Sequence, residues 1–164
     1  MAITATNSEL EQLGGNSSEG SVAPGLHGGA AEAVGAAKIL VASDSGKSFL
    51  LDTAAGSIVS LPAVPIAGMK FKFIVTTAVT SNNHIIKTND AAIFIGGGIQ
   101  QFIIANAVSE GQVADAASHV TMTMNGTTTG GLLGTVVEFE AISATVWIVN
   151  GLVGSSGTLA TPFA

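Results

Sequence analysis

MKFKFIVTT, residues 69–77, decides the fold class. In an extended chain successive side chains point to opposite faces, so Met69, Phe71 and Phe73 share one side and Lys70 and Lys72 the other. One apolar face and one charged face describe a strand with a buried side and a wet side. The alternation returns in HVTMTM (119–124), where Val120, Met122 and Met124 oppose Thr121 and Thr123. It returns again in TVVEFEAI (135–142), which TVWIV (145–149) follows through a hairpin turn at Ser143-Ala144. KILVA (38–42), SFLLD (48–52), SIVSL (57–61), HIIKT (84–88), AIFI (92–95) and IQQFIIA (99–105) read as further short strands between Gly, Asn and Pro signals.

Short strands at close spacing predict an all-β protein: a single β-sandwich, jelly-roll-like or barrel domain, with an extended N-terminal arm. No long amphipathic stretch predicts a helix. Ala-rich 30–37 and Ala114–Ser118 would each supply one helical turn at most. No repeat at solenoid spacing is visible.

The arm is residues 1–37, rich in Gly, Ser, Ala and Asn, and the β-rich body with its C-terminal tail is 38–164. Within the arm, Ser8 and Glu11 have the spacing of a capping box. The remainder reads equally as an extended, flexible arm or as a disordered terminus. Leu10, Leu13, Val22 and Leu26 give it apolar anchors, each contributing about 1.5–3 kcal/mol if fully buried on a partner.

Composition narrows the function. Hydrophobic residues make up 47% of the 164-residue chain and charged residues only 10%, with mean hydropathy +0.56. Globular proteins average about 25% charged residues, and a soluble monomer needs a charged, mixed surface. So little charge predicts that part of the surface packs against other subunits or another protein. The five cations are all lysines and the formal net charge is -6, which argues against a nucleic-acid partner, since phosphate neutralisation and base reading favour arginine. With no cysteine, disulfides and thiolate metal sites are excluded. The chain start has neither a basic segment nor an apolar run, so no signal peptide is expected. The uncharged stretches 91–109 and 141–164 are broken by Gly, Gln and Asn, so no membrane span is expected.

Motifs that could carry chemistry are few. Ser45-Gly-Lys-Ser48 resembles the end of a phosphate loop, but the position five before its Gly-Lys pair holds Val41 rather than glycine, and Phe49-Leu-Leu favours a strand. His27, His84 and His119 read as polar residues at loop edges. Asp115 and His119 would share a face if helical and could hold a metal, but one pair is not a site. Glu138 and Glu140, at i and i+2, project together and have the separation that glycoside hydrolysis uses, but a solvated strand face explains them as well. No nucleophile elbow is present. Trp147, the single tryptophan, reads as a core or interface anchor. No cofactor or metal is expected.

Five segments resemble those of a family of tailed-phage virion proteins. They are ASDSGKSFLLDTAAGSIVSLP (42–62), GMKFKFIVTTA (68–78), HIIKT (84–88), NGTTTGGLLG (125–134) and WIVNGLVGSSGTLATPFA (147–164). The resemblance covers most of residues 40–164. It implies a non-enzymatic structural role as a capsid decoration, or cement, protein on the outer surface of the phage head. The partner would be the major capsid protein and the assembly a homotrimer. Leu10, Leu13, Trp147 and Phe163 are the expected interface anchors. The alternative is a tail- or fibre-associated β-domain that binds a host-surface glycan; a small hydrolase built on Glu138 and Glu140 is third.

Overall fold

A computed structural model describes residues 30–164. Strands occupy 45% of these residues and helix 2%. In chain order the strands are β1 (Glu32–Ala33), β2 (Ala37–Ile39), β3 (Ser48–Leu51), β4 (Ser57–Ser60), β5 (Lys70–Val75) and β6 (His84–Lys87). There follow β7 (Phe94–Ile103), β8 (Ser109–Asp115), β9 (Thr121–Met124), β10 (Val136–Ala141) and β11 (Val146–Ser155). One 3-10 turn, Ala42–Asp44, lies between β2 and β3.

The fold is all-β, built as two facing sheets. Seven strands form the larger in the order β1-β3-β5-β10-β11-β7-β8, and four form the smaller in the order β2-β4-β6-β9. The first six strands alternate between the sheets, and every neighbouring pair among them is parallel. The chain therefore coils, one strand on each sheet per turn. Its spacing is irregular: 17 residues separate Glu32 from its partner Phe49, and 24 separate Phe49 from its partner Phe73. That irregularity is why no repeat shows in the sequence. The later strands close the larger sheet, with β10 antiparallel to β5 and β11, and β7 parallel to β11 over ten residue pairs.

One core lies between the sheets. The larger contributes Phe49, Phe71, Phe73, Phe139 and Trp147, the smaller Val59, Ile86, Met122 and Met124, all essentially inaccessible to solvent. Aromatic rings run through it as a connected series, with centroids 5.8 Å apart for Phe49–Phe73, 5.9 Å for Phe73–Phe139 and 5.6 Å for Phe71–Trp147. These lie within the range where ring pairs add to burial.

Both strand-poor ends are closed by specific devices. At the first coil the Lys38 side chain turns inward, ion-pairs with Glu32 and lies 5.6 Å over the Phe49 ring. An inward charge on a short edge strand discourages pairing with another chain. At the far edge of the smaller sheet the C-terminal residues add to β9: Thr123 donates to the Pro162 carbonyl, and Thr121 and Ala164 exchange bonds.

The structure differs from the sequence reading at five points. β1 and the start of β2 fall inside the segment read as arm, and 30–37 forms strands and a turn instead of a helical turn. Residues 114–118 likewise hold the end of β8 and a bend. β7 runs unbroken through Gly96-Gly97-Gly98, where two strands were expected, and β8 was not foreseen. The Ser143-Ala144 hairpin forms as read, closed by Ile142 donating to the Val146 carbonyl.

Candidate interaction surface

The outer face of the larger sheet follows from the register. Lys72 lies beside Glu138 and Lys70 beside Glu140 across β5 and β10, with ammonium–carboxylate distances of 3.8 and 3.2 Å. These side chains are 43–64% exposed. Next to this ladder runs an apolar row in which Leu50, Ile74, Val136 and Leu152 occupy four adjacent strands at one level. Leu152 is 53% exposed and the other three are half-buried. A shallow depression of about 240 Å³ sits among Lys47, Ser48, Lys72, Glu138 and Asn150.

The glutamate pair projects together as the sequence implied. A general acid must be kept protonated by an apolar, water-poor setting. Glu138 and Glu140 instead sit half-exposed, each matched by a lysine one strand away. The arrangement is that of a cross-strand ion ladder.

Ser45-Gly-Lys-Ser48 holds no open cradle. The N–H groups of Asp44, Ser45, Gly46 and Lys47 donate to the carbonyls of Val41, Ala42, Lys70 and Asp44 at 2.8–3.1 Å. The Lys47 ammonium is 2.7 Å from Asp44, and that hydrogen bond is the main reason the Asp44 carboxyl sits below its ordinary pKa. The four N–H groups and the ammonium that a phosphate would use are already engaged.

Asp115 and His119 do meet, through a turn and not a helix. Asp115 Oδ1 accepts the N–H groups of Ala117, Ser118 and His119, and Oδ2 accepts the Ser118 hydroxyl at 2.6 Å. The Ser118 hydroxyl, then these N–H groups, hold the Asp115 carboxyl well below the usual carboxylate range. The Asp115 N–H donates in turn to His119 Nδ1 at 3.0 Å. Among the described residues no cluster of three or more His, Asp or Glu side chains is arranged to hold a metal, and no helix is long and apolar enough to cross a membrane. The Asn125–Gly134 loop is organised by one side chain: Asn125 Oδ1 accepts from Thr127, Thr128 and Thr129 N–H at 2.9–3.1 Å.

His84 is a buried residue, contrary to its reading as a loop-edge one. It faces the core between Ser57 and Met124 and is fully inaccessible. Nε2 lies 2.9 Å from the Thr77 carbonyl, which only accepts, so Nε2 carries the proton and the buried Nδ1 has no partner among the described residues. Burial lowers the imidazole pKa. In the unfolded chain the group takes up a proton near pH 6.5, whereas the folded protein resists it. Stability is therefore full above about pH 6.5 and declines below it, until the folded imidazole itself titrates, at no more than about 1.4 kcal/mol per pH unit. Urea unfolding between pH 7.5 and 5.5 should show that decline. It should be flatter in His84→Gln, which can still donate to Thr77.

Of the expected interface anchors, Trp147 is 0% and Phe163 5% exposed. Both belong to the protomer's own core, and Phe163 bridges to Met122. Leu10, Leu13 and His27 lie outside the described residues. The exposed large side chains are aliphatic: Ile39, Val64, Ile66, Val113, Leu133 and Leu152 are each more than half exposed. Sequence reading missed these because exposure depends on which faces the register leaves uncovered.

Compared with family models, curated proteins and solved structures, the chain has no match among them.

Proposed function

We propose that the chain is a structural protein of a phage virion, a capsid decoration protein on the outer surface of the head. It assembles with copies of itself, as a trimer on the resemblance described above, and bridges neighbouring major capsid subunits. The observation that carries the reading is aliphatic exposure on a body with little charge: outward positions hold Ile, Val and Leu where an isolated molecule would hold Lys or Glu. Each protomer's N-terminal segment supplies a further contact, and several weak contacts held in one oligomer give tight attachment.

The glycan-binding alternative has less support. Sugar recognition by stacking needs exposed rings, but Trp147 and five of the seven phenylalanines are buried, leaving only Phe94 and Phe102 part-exposed. Deleting residues 1–26 should leave the body folded, with unchanged unfolding, while lowering occupancy on purified capsids. Wild-type occupancy by the truncated protein would refute the role of that segment. Failure of the intact protein to bind capsids would refute the decoration role.

A further inference from the structure

We infer that the outer face of the seven-stranded sheet is a self-association face, joining two copies of this chain about a two-fold axis that runs along the strands between β5 and β10. The inference rests on the proposed self-association and adds to it the face, the symmetry and the residues. A two-fold contact requires the same patch on both copies, so that residue i meets j and j meets i. Few surfaces satisfy that condition in both charge and polarity, and this one does.

The axis lays β5 of one copy over β10 of the other. Lys72 then faces Glu138 of the second copy, and Lys70 faces Glu140, because each pair already shares a level in the sheet. The symmetric contacts repeat both in reverse. At the next level Ile74 falls over Val136 of the second copy and Leu50 over its Leu152, so the apolar row covers itself. Ser48 of one copy meets Asn150 of the other, polar on polar. An in-plane axis across the strands would instead reverse the levels and set the charged ladder against the apolar row. The axis along the strands matches charge to opposite charge at two levels and apolar to apolar at the next.

The charges suit burial in this arrangement. Each lysine has its glutamate within the chain at 3.2 or 3.8 Å, so association covers paired charges and never a lone one, whose desolvation is the costly case. In a complete assembly such a contact makes a dimer, or couples one trimer to another.

Charge exchange tests the inference. The intact protein should sediment as an even number of 16.2 kDa chains. K70E/K72E and E138K/E140K should each weaken that association by roughly a hundredfold, since like charges then face each other across the axis. Mixing the two variants should restore association as a heterodimer, and K70E/K72E/E138K/E140K should associate like the parent, a recovery that general loss of folding cannot give. A monomeric or odd-numbered parent, unchanged association in both double variants, or no recovery on mixing would each overturn the inference. Capsid occupancy is scored separately: a parent that coats capsids without even-numbered association leaves the decoration reading intact and removes this one. Even-numbered association without capsid binding does the reverse.

Discussion

Trp147→Ala should destabilise the body by about 3–5 kcal/mol, the range for emptying the space of a large buried aromatic. Trp147 is wholly inaccessible, lies between Ala141 and Ile95 in the larger sheet, and has the Phe71 ring 5.6 Å away. Against a total folding free energy of about 5–15 kcal/mol the loss is large, and the thermal midpoint should fall by roughly 10 °C or more. Trp147→Phe should cost much less. The indole Nε1 is buried with no partner among the described residues, and an unpaired buried N–H costs roughly 1–3 kcal/mol. Phenylalanine removes that cost while it fills most of the space. Thermal and urea unfolding of the three proteins checks the order. If Trp147 anchored contacts between subunits instead, Trp147→Ala would lower the oligomer mass and leave monomer unfolding unchanged, and its place in the core would be wrong.

The elements legible in the sequence are those whose two faces see different surroundings. Met69–Thr77, Thr121–Met124 and Thr135–Ile142 alternate because one side enters the core and the other meets water, and the strands form there. β8 escaped notice because it is an edge strand exposed along most of its length, so Ser109-Glu-Gly-Gln112 carries no buried stripe. β1, two residues long, is too short for any period, whereas β2 overlaps the strand read at 38–42 and begins one residue before it. Half of the candidate face was legible as well. Glu138 with Glu140, and Lys70 with Lys72, each share a face by spacing alone. That the two pairs adjoin required the β5–β10 register, set by residues more than 60 positions apart. That Trp147 and Phe163 are buried within the protomer was undecided for a related reason: a large aromatic in a strand suits a core and an interface equally until the layers are known.

Gly97→Ala tests the least legible feature, the continuity of β7, and its expected effect is of similar size. Three consecutive glycines ordinarily break a strand, since glycine loses the most backbone freedom on ordering and offers no side chain to pack. Here the partners demand them. Gly97 has φ +92, a left-handed conformation inside a ladder, and a Cβ built there would stand 2.5 Å from the Val149 carbonyl oxygen and 3.2 Å from the Val149 nitrogen. Both atoms are backbone of β11, which cannot retreat without opening its ten-residue pairing with β7. Alanine therefore adds torsional strain and a backbone collision together, for a loss of about 3 kcal/mol or more. Gly111 on β8 is the control: nothing lies within 4 Å of its added Cβ and its φ is ordinary. Gly111→Ala should accordingly be neutral or stabilise by up to about 1 kcal/mol, through the unfolded chain. Urea unfolding of both variants separates position from composition, because each removes one glycine from the same sheet. Equal stability for the two would mean that β7 does not pass Gly97 in the left-handed conformation, and the ten-residue pairing with β11 would have to be redrawn.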